Sequence, residues 1–208
     1  MKLADRTIIG FTEVLASSEP APGGGSTAAL EGALAASLVE MVTGLTIGKK
    51  KYAEHDELLK QIGAEAAKLR AQLTDVIDRD TEAFNGVSAV FAMPKETEEE
   101  KSARSAAMQT ALKACTLTPF EMMQCSLAVL ELADRMLGKF NTTAASDLGV
   151  AALSAKAAVQ GAWLNILINV SGIKDEAFTA KYRGEGEVII AKALPLADKI
   201  YAHVLECM

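Results

Sequence analysis

A carboxylate stands where a helical pattern asks for an apolar side chain. Leu58, Ile62, Ala66, Leu69, Leu73 and Val76 recur at steps of three and four, and the stripe resumes at Phe84, Val87 and Phe91, with Asp80 between. Burial disfavours the charged form, so an aspartate on such a face has a pKa moved toward neutrality and becomes a usable general acid or base. The rival reading is a buried ion pair with a neighbour such as Arg79 or with a lysine from another helix. Pro22-Gly23-Gly24-Gly25-Ser26 opens a helix. Three glycines let a ligand approach the backbone, and the free N–H groups of a helix start suit an anion; the alternative is a flexible turn. No Gly-Lys-Ser/Thr follows it and no strand precedes it, so it is neither a Walker loop nor a dinucleotide fingerprint.

Three further constellations carry chemistry or its bland equivalent. Lys49-Lys50-Lys51-Tyr52 is a compact basic patch that could receive carboxylates or phosphates, or could be a solvated helix end. Asn141 and Asp147 flank a turn before an apolar helix, where Asp147 suits the helix dipole. Asn165 and Asn169 lie one turn apart, and buried amides need partners, either a heterocycle edge or another helix. Only two histidines are present, His55 and His203, with no HExxH or Cys/His cluster, so no dedicated metal site is expected.

The elements that position these residues read as helices nearly throughout, with no strand-turn-strand rhythm. The spacing predicts a short helix over Leu3–Ala16, a loop through residues 17–26, a helix capped by Ser26 or Thr27, and a long helix over Glu54–Ala92. Thr97–Glu100 opens another helix that runs to Cys115. Thr118-Pro119-Phe120-Glu121, with cap residue, proline at the first helical position and glutamate three after the cap, predicts a fresh start running to Leu137. A buried helix over Asp147–Val170 and one or two amphipathic helices over Lys174–Met208 complete the chain. No repeat or linker divides it. The expected fold is one all-α domain over residues 1–208, a helical bundle with long antiparallel helices.

Composition narrows the function. The chain has 208 residues, a net charge of -6 and 50% hydrophobic residues, which excludes disorder and a nucleic-acid binder working by overall charge. Its mean hydropathy of +0.18 calls for a membrane or a subunit interface to absorb the excess. Ser26–Ile47 carries Glu31 and Glu40, and Leu148–Val170 carries Lys156, Gln160, Asn165 and Asn169, which favours burial in a bundle or dimer seam over lipid. Cys115, Cys125 and Cys207 form no disulfide framework and point to a reducing cytosol.

Six segments in order resemble one family: Pro20–Ala29 (PAPGGGSTAA), Leu45–Tyr52 (LTIGKKKY), Asp78–Phe84 (DRDTEAF), Met93–Arg104 (MPKETEEEKSAR), Ser146–Ala155 (SDLGVAALSA) and Asn165–Phe178 (NILINVSGIKDEAF). The chain resembles the folate cyclodeaminase/cyclohydrolase family, which comprises the C-terminal domain of formiminotransferase-cyclodeaminase and stand-alone bacterial methenyltetrahydrofolate cyclohydrolases. The resemblance implies an all-helical subunit that dimerises, a folate substrate in a cleft near the dimer interface, and neither metal nor redox cofactor. Two reactions are then open. Water can open 5,10-methenyltetrahydrofolate to 10-formyltetrahydrofolate, or 5-formiminotetrahydrofolate can close with loss of ammonia. No formiminotransferase domain accompanies the segment, and its length and Lys49–Tyr52 match the stand-alone enzymes. The expected activity is therefore cyclohydrolase, with cyclodeaminase second and a non-catalytic folate-binding dimer third. The roles implied are Asp80 as general base or acid with Asp147 in reserve, and Gly23, Gly24, Gly25 and Ser26 as backbone and hydroxyl contacts to folate. Lys49, Lys50 and Lys51, beside Tyr52, attract the glutamate tail, a polyglutamate tail most. Asn141, Asp147 and Asn169 hold the pterin edge.

Overall fold

The computed structural model describes residues 2–208. Six α-helices follow one another: α1 (Ile8–Leu15), α2 (Gly24–Thr46), α3 (Asp56–Phe91), α4 (Glu98–Arg135), α5 (Ala145–Val170) and α6 (Glu176–Glu206). Short 3-10 turns at Lys50–His55 and Thr142–Ala144 precede α3 and α5. No strand occurs among the described residues. The all-α fold expected from the sequence is what forms.

The two small-residue helices, α2 and α5, lie side by side at the centre. Ala28, Ala29, Ala33 and Ala36 of α2 and Ala151, Ala155, Ala158 and Ala162 of α5 are buried, so the backbones approach closely. At Gly161 a Cβ would lie 3.1 Å from that of Ala28. The pair is antiparallel: Asn165, late in α5, borders Gly24 at the start of α2, whereas Asn141, just before α5, donates from its backbone N–H to Thr46 Oγ1 at the end of α2. Helix α3 packs Leu59, Ile62, Ala66, Leu73, Val76 and Ile77 onto this centre, α4 adds Met122, Met123, Val129 and Leu130, and α6 closes the far side with Ile200 and Val204.

Residues 97–137 differ from expectation. Instead of two helices, one helix of 38 residues runs from Glu98 to Arg135 with Pro119 inside it. Its true start is Thr97, whose side chain accepts from Glu100 N–H in a capping box. Glu121, which the start signature would turn back toward Thr118, instead takes both terminal guanidinium nitrogens of Arg79, each at 2.8 Å. Within residues 174–208, where one or two helices were expected, a single helix forms, Glu176–Glu206, with Pro195 inside.

Candidate active site

The start of α2 departs from its expected capping. Gly23 is the N-cap and makes no side-chain cap bond, so the first backbone N–H groups of α2 stay without an intrahelical acceptor. Ser26, expected to cap the helix or touch the ligand, is fully buried inside it. Its hydroxyl lies 2.9 Å from the Ile77 carbonyl, 3.3 Å from Asp80 Oδ2 and 3.2 Å from Thr81 Oγ1. A hydroxyl has one proton. Given to the Ile77 carbonyl, it leaves oxygen lone pairs for a protonated Asp80; turned to Oδ2, it steadies the carboxylate. Ser26 thus meets Asp80 directly.

Asp80 is held against this helix start. A Cβ at Gly25 would collide with both carboxylate oxygens, so only glycine allows the approach. Burial pushes the Asp80 pKa above the ordinary aspartate value, and bonding from Ser26 pulls against it without cancelling it. The ion-pair reading does not describe the residue. Among the described residues no cation pairs with Asp80, while Arg79 turns away to Asp75 and Glu121.

The carboxylate faces a cavity of about 250 Å³. Gly23, Gly24 and Gly25 form one wall, and Thr81 and Phe84 of α3 flank Asp80. Cys115 of α4 and Asn165, Ile168 and Asn169 of α5 complete it. Cys115 is a thiol pushed up to about 11, mainly by burial and further by the charge of Asp80, so it stays protonated.

The proline inside α4 explains how Asn169 is aimed. Residue 119 has no N–H to give to the Cys115 carbonyl four residues earlier. That carbonyl accepts instead from Asn169 Nδ2 at 2.7 Å. Asn165 is anchored in the same way, its Nδ2 donating to the Gly161 carbonyl at 2.8 Å. With both amide nitrogens committed to backbone, each Oδ1 is an acceptor without a protein donor among the described residues, suited to a ligand edge that carries N–H groups.

The remaining expected site residues gather elsewhere. Lys49, Lys50, Lys51, Tyr52, Asn141 and Asp147 lie around the end of α2 and the start of α5. Along the 23 residues of α2 that end is about 33 Å from Gly24. Tyr52 is buried, and its hydroxyl accepts from Thr142 N–H at 3.4 Å. Asn141 Oδ1 accepts from Thr143 N–H and its Nδ2 donates to the Leu45 carbonyl. Lys49, Lys50 and Lys51 are exposed. The chain therefore brings Gly23, Gly24, Gly25, Ser26, Asp80 and Asn169 together and keeps the other six apart from them. Phe84 was visible in the sequence only as a neighbour of Asp80 one turn on, Thr81 only as the next residue, and Cys115 only through its place four residues before a proline. Among the described residues no group of three His, Cys, Asp or Glu is placed to hold a metal.

An open glycine helix start, a desolvated carboxylate and two amide acceptors thus border one small cavity in an all-helical protein. The chain belongs to the formiminotransferase-cyclodeaminase family, whose profile matches residues 7–187. It is 44% identical, over 96% of its own length and 96% of the relative's, to the methenyltetrahydrofolate cyclohydrolase of Methylorubrum extorquens. It is 31% identical to the formimidoyltransferase-cyclodeaminase of Mus musculus over 86% of this chain, spanning 33% of that longer protein. The formiminotetrahydrofolate cyclodeaminase of Thermotoga maritima superposes with a TM-score of 0.81 and 26% identity, covering 99% of this chain and 97% of that one.

Proposed function

We propose that this chain is a methenyltetrahydrofolate cyclohydrolase and that Asp80 moves the protons. The observation that carries the reading is the Asp80 carboxylate, its pKa raised by burial, facing a cavity walled by the open start of α2. The likeness over nearly full length to a stand-alone cyclohydrolase supports this activity over cyclodeaminase. Ionised Asp80 takes a proton from water as its oxygen bonds to the amidinium carbon between N5 and N10. The resulting carbinolamine is neutral. Asp80 then returns the proton to N5 as the C–N5 bond breaks, the hydroxyl proton leaves, and the formyl group stays on N10. One proton is released overall. The N–H groups at the start of α2 receive the carbinolamine oxygen, while Asn165 and Asn169 accept from the pterin. The cationic substrate pulls Asp80 back toward ionisation on binding, which suits a base. Nothing in these steps calls for a metal or redox cofactor.

The apolar surface supports a homodimer. Leu34, Met41 and Leu45 of α2 and Val150, Leu153, Leu164 and Ile168 of α5 are all at least 40% exposed. Together they present on the order of 700 Å², near the roughly 800 Å² each partner contributes to a standard interface. Both helices are long and apolar enough to cross a membrane by length and composition, yet they are the centre of the bundle. A twofold axis perpendicular to the helices would carry Lys49, Lys50, Lys51, Tyr52 and Asn141 of the partner subunit toward this subunit's Asp80 cavity, and Asp147 with them. Three free thiols, two of them buried, are compatible with a cytoplasmic enzyme.

The test is loss of the amidinium chromophore when purified protein meets 5,10-methenyltetrahydrofolate. Decay far above the spontaneous rate is expected. Unchanged decay with folded protein, together with ammonia release from 5-formiminotetrahydrofolate, would transfer the assignment to cyclodeaminase.

A further inference from the structure

A second cavity lies beyond the end of α3. Helix α3 continues eleven residues past Asp80 to Phe91, about 16 Å at the helical rise, and α4 returns from Glu98 to Cys115 beside it. At the tip of this hairpin a cavity of about 400 Å³ is lined by Lys95, Lys101, Arg104, Ser105, Met108 and Gln109. Arg104 is fixed there: its Nε donates to the Val90 carbonyl at 3.0 Å and Nη2 to the Phe91 carbonyl at 3.4 Å, at the end of α3. The turn after α5 is tied to the same place. Gln109 Nε2 donates to the Gly172 carbonyl at 2.9 Å, Lys174 N–H donates to Gln109 Oε1 at 2.6 Å, and Lys174 Nζ reaches Ser105 Oγ at 3.2 Å.

Lys95, Lys101 and Arg104 thus line one cavity in a chain of net charge -6, and Lys174 reaches its lining residue Ser105. Only Lys101 has a carboxylate partner among the described residues, Glu98 at 2.7 Å. Glu100 is engaged by the N–H groups of Glu96 and Thr97, and no carboxylate lines the cavity. Lys95, Arg104 and Lys174 leave three positive charges without a protein counterpart.

The first cavity is smaller than the 300–1,000 Å³ usual for a whole drug-sized ligand. A folate whose bridging carbon sits at Asp80 must therefore leave it with its aminobenzoyl-glutamate end. At ordinary bond lengths that end places its first carboxylates about 10 Å from the bridging carbon, and each γ-linked glutamate carries another carboxylate further out. We infer that the γ-glutamyl tail of the substrate runs along the α3–α4 hairpin of the same subunit and is received by Lys95, Arg104 and Lys174. This places the tail away from Lys49–Lys51, and it rests on the folate reading of the Asp80 cavity.

Kinetics with mono- and pentaglutamyl methenyltetrahydrofolate test it on three proteins: wild type, K95Q/K174Q and K49Q/K50Q/K51Q. The wild-type KM is expected to fall with tail length. In K95Q/K174Q the pentaglutamyl KM should rise about 5- to 10-fold relative to the monoglutamyl KM, with the kcat ratio of the two substrates preserved. In K49Q/K50Q/K51Q the ratio of the two KM values should stay as in wild type. A wild-type KM indifferent to tail length, an unaltered ratio in K95Q/K174Q, or a ratio lost only in K49Q/K50Q/K51Q each overturns the inference. Calorimetric titration with p-aminobenzoylpentaglutamate reads the tail site without turnover. Weakening by K95Q/K174Q there would sustain the tail site even if the protein failed to hydrolyse any methenylfolate.

Discussion

The two ends of the α2–α5 pair hold similar residues in opposite states. At the far end Asn141 is used up, with its oxygen taken by Thr143 and its nitrogen given to Leu45, and the Tyr52 hydroxyl accepts from Thr142. At the near end Asn169 and Asn165 have spent only their nitrogens, and Asp80 has no cation. Polar groups that are satisfied hold a turn in shape, whereas polar groups left half-satisfied beside a cavity are available to a ligand. Residue type alone does not separate the two ends, because the difference lies in what the backbone around each residue leaves unpaired.

The comparison breaks most visibly at Asp80. Asp80→Asn is expected to lower turnover by roughly 10²- to 10⁴-fold in the chromophore assay, with no loss of melting temperature. The sign follows from the raised pKa. Above the unfolded aspartate pKa the folded state binds more protons than the unfolded state, so Asp80 makes stability fall as pH rises from about 4 through its folded pKa. The variant should therefore be less sensitive to pH than wild type in denaturant titrations across that range. A large loss of stability at neutral pH would restore the buried-ion-pair reading.

Mixing two variant proteins asks whether the ends meet across a subunit pair. If the Lys49–Lys51 end of one subunit borders the Asp80 cavity of another, a re-equilibrated mixture of D80N and K49Q/K50Q/K51Q exceeds the mean activity of the two proteins kept apart, because one hybrid site in two is intact. No regain, or a single monomeric species by light scattering, would leave the two ends separate. Pro119→Ala is a smaller perturbation. It returns an N–H to compete for the Cys115 carbonyl and should free the Asn169 amide, raising KM several-fold at a cost of about 0.5–1.5 kcal/mol in ligand binding, while thermal stability holds or improves. Asn141→Ala should cost about 1 kcal/mol of folding stability in urea titrations through its lost cap.

The burial of Asp80 was legible because a charge interrupted an apolar helix stripe, and the helix start near Gly23–Gly25 because glycines and prolines end the preceding loop. Helix α3 was legible from its apolar period, and the central α2 and α5 from their long apolar runs of small residues. The continuity of α4 was not. Thr118-Pro119-Phe120-Glu121 carries the local signature of a helix start, and nothing within four residues reveals that Arg79 claims Glu121 while Asn169 donates to the Cys115 carbonyl in place of the N–H that proline lacks. Nor does linear order reveal that Lys49–Tyr52 and Gly23–Ser26, so near in sequence, are held a full helix length apart by the straightness of α2.

One turn of α4 also acts as a gauge of its neighbour. The Cys115 carbonyl is bonded from α5 rather than from its own helix, so any pull on Asn169 from within the cavity is felt in the α4 backbone around residues 115–119. Amide hydrogen exchange in that turn becomes a label-free occupancy meter, slowing when the cavity is filled and quickening when it empties, in a stretch of helix that meets the cavity through Cys115 and through one side chain of α5.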